Sequence, residues 1–257
     1  MRDPGLTEAI RAAGGVSELA RQLGISQPSV SNWDRVPAER VLIVEATTGI
    51  NRKLLRPDLY QESEANVVDE IDVARAQEYA LLASLLVRAP DAALLARLAA
   101  LRGDATPLGV AHVALAQAAS ETSVERVERE YFDLFIGLGR GELLPYASYY
   151  LTGFLHERPL ARLRADLGPL GIERVDGNYE PEDHAATLCE IMAGLVGGSL
   201  PAPEGSDRHI FEKHLSPWIG RFFADLEQAE SARLYRSVGA LGRTFMEIET
   251  QAFSLPS

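Results

Sequence analysis

Tyr131-Phe132-Asp133-Leu134-Phe135-Ile136-Gly137-Leu138-Gly139-Arg140-Gly141-Glu142-Leu143-Leu144-Pro145-Tyr146-Ala147-Ser148-Tyr149-Tyr150 is the stretch on which the fold turns. Its Gly-x-Gly-x-Gly core invites a dinucleotide-binding loop, which would make the chain an α/β protein. Such a loop must follow a β-strand and open a helix over the pyrophosphate. Here Val124 to Phe135 repeat apolar positions at helical spacing, so a helix leads into the glycines and they serve to turn the chain. The expectation is an all-α protein, with Tyr146, Tyr149 and Tyr150 packing on a helix and their hydroxyls at its rim.

The surroundings agree with that reading. From Val73, residues Ala76, Ala80, Leu81, Ser84 and Leu85 recur at helical spacing, and Asp91 to Leu101 do the same. Pro90, Gly103, Pro107, Gly137 and Pro145 punctuate the pattern at intervals that suit helices of two to five turns. Glu182 to Leu195, Asp207 to Leu226 and Ser231 to Phe253 continue it to the C-terminus. A composition of 46% hydrophobic and 24% charged residues excludes disorder as the main state. The single cysteine, Cys189, has no intramolecular disulfide partner, which fits a reducing cytoplasm. The longest stretch free of Asp, Glu, Lys and Arg, Ala105 to Ser120, is too short and too polar to span a bilayer. Met1 to Gly5 lacks the basic start and apolar run of a signal peptide, so a cytoplasmic protein without a membrane partner is expected.

The net charge of −12 is unevenly spread. Residues 1–57 hold eight basic and six acidic residues, whereas the remainder holds 17 and 31. Two modules with different partners are expected: residues 1–60, an acidic linker over 61–72 and a helical domain over 73–257. The linker, Gln61 to Asp72, carries five carboxylates and no basic residue.

The first module reads as a helix-turn-helix. Gly14-Gly15 ends an amphipathic stretch containing Leu6 and Ile10. In Ser17 to Trp33, Ala20 is small enough for two helices to cross closely, Gly24 takes the positive φ of a tight turn, and Ser26 caps a helix whose first turn tolerates Pro28. Leu19, Leu23, Ile25, Val30 and Trp33 form the inward face. Gln27, Ser29, Ser31 and Asn32 then point outward, amide and hydroxyl groups suited to base edges in a major groove, with Arg35 and Arg40 on phosphates. A further helix runs from Pro37 to near Gly49. The glycine pair, the Leu-Ala-x-x-Leu-Gly turn, the Pro-Ala-Glu-Arg helix and the Leu-Arg-Pro-Asp tail resemble the Cro-like, YdaS-type small regulators over residues 5–60. The resemblance implies double-stranded DNA as a partner; a module turned to docking or dimerisation is the alternative. A charge of only +2 favours a homodimer on DNA.

Two further clusters stand out in the helical domain. In Asn178-Tyr179-Glu180-Pro181-Glu182-Asp183-His184, Pro181 starts a helix and Glu182 and Asp183 occupy its first turn, where the dipole favours them. Asp183 and His184 suggest an acid/base pair, but no serine, cysteine or metal ligand completes a catalytic set, and an enzyme is not expected. In Phe211 to Phe223, Pro217 lets a new helix begin after Leu215, and Trp218 and Phe222, four apart, pack inward. His209 and His214 are five apart and off one helical face, so no metal site is expected.

Together, Tyr131-x-x-Leu134-Phe135 with its glycine turn, Leu144-Pro145-Tyr146-x-Ser148-x-Tyr150, Glu180-Pro181-x-Asp183-His184 and Phe211-x-x-His214-Leu215-x-x-Trp218 resemble the TorD/DmsD family over residues 75–253. The resemblance implies a helical chaperone, without a cofactor, that binds the twin-arginine leader of a molybdoenzyme apoprotein. It places Glu180, Asp183 and His184 in the peptide-binding region, with Tyr146, Ser148 and Tyr150 alongside. An acidic domain suits a cationic client. The Tyr-Ala-Ser-Tyr-Tyr version resembles subgroups associated with formate dehydrogenase, although Ala147 departs from the acidic residue some members carry there. Two functions follow: a maturation chaperone with an added DNA-binding module, or a transcription regulator whose TorD-like domain senses a peptide or ligand.

Overall fold

Asp3 accepts the Gly5 N–H and Pro4 stands at the first helical position, which together start α1 (Pro4–Ala13). The computed structural model describes residues 3–57, 70–174 and 180–255, and among them the chain forms fifteen α-helices and no strand. It divides into two units, Met1–Val67 and Val68–Ser257. The acidic stretch of residues 61–72 is described only from Glu70, where Glu70 and Asp72 enter the first turn of a helix and favour its dipole.

In the first unit, α2 (Val16–Gln22) and α3 (Gln27–Ser31) flank a turn in which Gly24 takes φ +66°. A 3₁₀ turn (Ala38–Arg40) leads into α4 (Val41–Thr48), and α5 (Arg52–Leu55) follows. Leu6, Ala9, Leu19, Ala20, Val30, Val36, Val41, Val44 and Leu55 are buried together, with Ile25 and Trp33 packed at the edge. Ser26 occupies the cap position of α3, but its hydroxyl bonds Ser29 Oγ (2.7 Å) and caps no helix N–H. Pro28, two residues on, lacks the N–H that a cap would accept.

The second unit is built on α6 (Glu70–Val87), which packs along α12 (Ala185–Val196). Around them lie α7 (Ala92–Ala99), α8 (Pro107–Ser120), α9 (Val124–Tyr131), α10 (Ala147–Thr152) and α11 (Arg158–Leu167). Next come α13 (Ser206–Ile210), α14 (Ile219–Gln228) and α15 (Leu234–Ser254), the last packing on α8 and α14. The core joins Tyr79, Leu82 and Leu85 of α6 to Leu188, Cys189 and Met192 of α12 and to Trp218, Phe222, Phe223, Tyr235 and Phe245. Trp218 and Phe222 do pack inward, their rings 6.1 Å apart.

Two π turns interrupt the helical pattern, Phe132–Ile136 after α9 and Phe211–Leu215 after α13. The second ends at Leu215, and α14 starts at Ile219, just past Pro217, where a new helix is expected to begin. At the glycine run, Gly137 and Gly139 adopt φ +61° and +93°. A Cβ on Gly141 would sit 2.5 Å from the Phe135 carbonyl carbon. The loop folds back on its own helix, with the Leu143 N–H on the Leu134 carbonyl at 2.8 Å. The glycines thus make a tight reversal, as their position after a helix requires.

Buried carboxylates tie remote helices together. Glu249 of α15 accepts two guanidinium N–H groups of Arg75, at 2.8 Å each, and the Tyr79 hydroxyl at 2.9 Å. Glu130 of α9 accepts the backbone N–H groups of Arg233, Leu234 and Tyr235 at 2.7, 3.2 and 2.7 Å. That single side chain satisfies the otherwise open N-terminus of α15.

Candidate functional site

The segments before α10 and α12 meet as two extended residues. Tyr146 and His184 form an isolated antiparallel bridge, with the Ala147 N–H on the Asp183 carbonyl (2.9 Å) and the Ala185 N–H on the Pro145 carbonyl (2.8 Å). Pro145 takes part through its carbonyl alone, since it has no N–H to place in the bridge. Asp183 is 1% exposed, and its Oδ2 accepts the Ser148 N–H at 2.8 Å, in the first turn of α10. His184 caps α12: its Nδ1 accepts the Ala186 N–H at 3.1 Å. The helix therefore begins at Ala185 and not at Pro181, and Glu182 and Asp183 precede its first turn. The extended backbone of His184, ψ 140°, is what the bridge needs and what a helix forbids.

This arrangement brings Tyr146, Ser148, Glu180, Asp183 and His184 together. The Tyr146 hydroxyl donates to Glu180 Oε1 and its ring meets that of His184 edge-on, 5.0 Å between centroids. Burial, then the Glu180 carboxylate, pushes the Tyr146 phenol well above its ordinary value. Ser148 Oγ and Asp183 Oδ1 are buried without a hydrogen-bond partner among the described residues. Tyr150 turns elsewhere, between Trp218 and Phe222, with its hydroxyl on Asp225 at 2.9 Å. Tyr149 accepts from Arg140 at 2.9 Å. Asn178 and Tyr179 lie outside the described residues.

Glu180 borders a groove of about 720 Å³ between α6, the end of α11 and α12. Its apolar wall comes from Ala76, Ala80, Leu167, Ile172, Ile191 and Leu200, and its rim carries Glu173, Glu180, Glu182 and Glu190 against Arg174. Partial burial opposes ionisation of Glu182, but the Arg164 guanidinium at 2.7 Å outweighs it and lowers its pKa. Glu173 and Glu190 are exposed and pair with nothing among the described residues. Of the six residues singled out in the sequence for peptide binding, Glu180 alone lines this groove. Asp183 and His184 instead pin the segment that carries it. Glu190, Gln77, Thr187 and Glu173 also line the groove but do not stand out in the sequence: the first three read locally as solvated or packed helical positions, and Glu173 as one exposed residue of a loop.

In the first unit, Gln27, Ser29 and Asn32 are exposed on or next to α3, Ser31 is half-buried, and Gln27 Nε2 donates to Ser31 Oγ at 3.0 Å. Arg35 is exposed and Arg40 half-buried. Among the described residues no three His, Cys, Asp or Glu side chains cluster as a metal site would require, and no helix is long and apolar enough to cross a membrane.

Residues 101–224 match the family model described as Nitrate reductase delta subunit, and residues 6–64 match that of Bacterial toxin YdaS. The chain is 28% identical over 127 residues to the chaperone protein TorD of Vibrio cholerae, covering 46% of this chain and 58% of that one. It is 24% identical over 202 residues to the chaperone protein TorD of Shewanella loihica, covering 70% and 92%. The second unit is TorD-like. A putative redox enzyme maturation protein from Archaeoglobus fulgidus superposes with a TM-score of 0.46 at 23% identity, covering 66% of this chain and 93% of that one. Both family resemblances seen in the sequence stand, and the chain spans little more than half the length of the Vibrio relative.

In the TorD-like unit, burial lowers the pKa of His184 below its ordinary 6.5. Its Nδ1 must stay unprotonated to accept the Ala186 N–H. The unfolded chain takes up this proton first, so stability falls as pH drops below about 6.5. His184→Asn keeps a capping acceptor without a titrating ring. Thermal unfolding from pH 7.5 to 5 is expected to show a smaller loss of Tm in the variant than in the parent.

Proposed function

We propose that the TorD-like unit is a cytoplasmic maturation chaperone that seats the twin-arginine leader of a molybdoenzyme apoprotein in the groove between α6, α11 and α12. The observation that carries this reading is the pair of carboxylates, Glu173 and Glu190, exposed and without a partner among the described residues, on the rim of an apolar groove. A leader with paired arginines and a following apolar run needs both: planar guanidinium groups fit carboxylates bidentately, and the apolar run needs a dry wall. Glu180 joins the rim, Tyr146 orients it, and Asp183 and His184 hold its backbone in place. A formate dehydrogenase is the client suggested by Tyr146 to Tyr150. Titrating the intact protein with an Arg-Arg leader peptide and with its Lys-Lys counterpart tests the reading. Arg-Arg should bind at least about tenfold tighter, because lysine cannot make the bidentate contact; equal affinities sink it.

The YdaS-like unit is proposed to bind double-stranded DNA as one of two copies, with Gln27, Ser29, Ser31 and Asn32 towards bases and Arg35 and Arg40 towards phosphates. Asn32→Ala is expected to relax sequence preference. Arg40→Ala is expected to weaken all sequences alike and to reduce the slope of log K against log salt by about one. Fluorescence anisotropy on a specific and a scrambled duplex at several salt concentrations separates the two effects, and absence of salt-dependent retention of either duplex rejects the DNA reading.

A further inference from the structure

A second surface of the TorD-like unit has chemistry opposite to that of the groove. Phe154 is 70% and Leu138 98% exposed, and Ile136, Leu151 and Leu155 are exposed with them. Ile136 ends the π turn after α9 and Leu138 follows in the glycine reversal, while Leu151 lies in the last turn of α10 and Phe154 and Leu155 in the turn between α10 and α11. Arg140 ties the reversal to α10: it donates to the Tyr149 hydroxyl and lies over the Tyr149 ring, 5.4 Å from its centroid. Gly153 (φ +83°) and His156 (φ +61°) bend the backbone left-handed on either side of Phe154-Leu155. His156 is the one non-glycine residue at positive φ among the described residues, so the turn that presents Phe154 is held against the backbone's own preference. In a chain of net charge −12, residues 136–164 carry Arg140, Arg158, Arg162 and Arg164 against Glu142 and Glu157. Arg158 and Arg162 are exposed and unpaired among the described residues.

An apolar tip flanked by arginines requires an apolar cavity flanked by carboxylates, and the molecule has one in the groove rimmed by Glu173 and Glu190. The loop does not reach the groove of its own chain. Leu167, at the groove, and Arg158, beside the loop, are opposite ends of α11, a ten-residue helix about 15 Å long that holds them apart. We propose that the Phe154 loop docks in the groove of a second copy, with Phe154 and Leu155 on the apolar wall and Arg158 towards Glu173 and Glu190. The contact is head-to-tail: each copy offers one loop and one groove, so assemblies lengthen with concentration and do not stop at a pair. Because loop and leader would share one seat, the idle protein stores its groove occupied and the client releases it. That last step rests on the leader-binding reading above; the docking does not.

The test uses the intact chain with the photoreactive benzoyl derivative of phenylalanine in place of Phe154, mixed from isotopically light and heavy preparations. Irradiation is expected to link position 154 to residues 167–200 of a copy of the other isotope. Phe154→Ser with Leu155→Ser, at exposed positions that leave the core intact, is expected to weaken concentration-dependent assembly in sedimentation by about tenfold to a hundredfold. Links confined to one copy, links to another surface, or none overturn the docking, as does assembly unchanged in the double variant. Adding the Arg-Arg leader peptide is expected to suppress the cross-link. If the link forms and the peptide leaves it untouched, the loop seat stands and the leader seat in that groove falls.

Discussion

Glu173→Lys combined with Glu190→Lys is expected to weaken leader binding by at least about a hundredfold while leaving the melting temperature within about 2 °C of the parent. Each carboxylate lost removes a charge-assisted hydrogen bond worth roughly 1.5–3 kcal/mol, and each lysine adds repulsion toward the arginine pair. The fold is spared because both side chains are exposed and neither pairs with another residue in the described structure. Isothermal titration with an Arg-Arg leader peptide and thermal unfolding of the same protein provide the two readouts. Unchanged affinity would show that the leader lies elsewhere. A large fall in Tm would show that the rim carboxylates stabilise the bundle and that lost binding reports unfolding.

Glu130→Ala is expected to destabilise the TorD-like unit by about 3–5 kcal/mol, because it leaves the N–H groups of Arg233, Leu234 and Tyr235 without their acceptor. For a unit of this size that corresponds to a fall in Tm of roughly 6–20 °C, measurable by circular dichroism. The cost is high because Glu130 is 6% exposed and two of its three donors, the N–H groups of Leu234 and Tyr235, belong to buried residues. A fall below about 3 °C would mean that water reaches the three donors when the side chain is removed. Glu130→Gln should fall between the two proteins, since its amide oxygen replaces part of the carboxylate.

Glu130 also marks where sequence reasoning stops. In the chain it reads as one more charged residue of an amphipathic helix, and nothing local points to a partner 103 residues away. The same holds for Asp183. Beside Pro181 it looks like the ornament of a helix start, yet it stands outside α12 and holds the first turn of α10 through Ser148, 35 residues away. The groove, too, gathers residues from three helices and two loops. Each of these features depends on which surfaces meet and which carboxylates lose water, and no spacing rule carries that information.

What the amino-acid sequence determined by itself was governed by neighbours a few positions apart. Apolar residues at helical spacing specify an all-α chain. Gly24 and the run Gly137 to Gly141 mark reversals, because the backbone there takes a positive φ or passes too close to another strand of chain for a side chain. The unequal charge of the two halves separates a near-neutral helix-turn-helix from an acidic bundle, and the motifs carry the resemblance of each to a known family. Tertiary structure alone decided that α12 starts at Ala185, that Asp183 and His184 are pins and not the groove's lining, and that Glu173 and Glu190 stand on its rim unpaired among the described residues. Helix propensity and turn preference act within a few residues, whereas desolvation and long-range capping act across the whole packed unit.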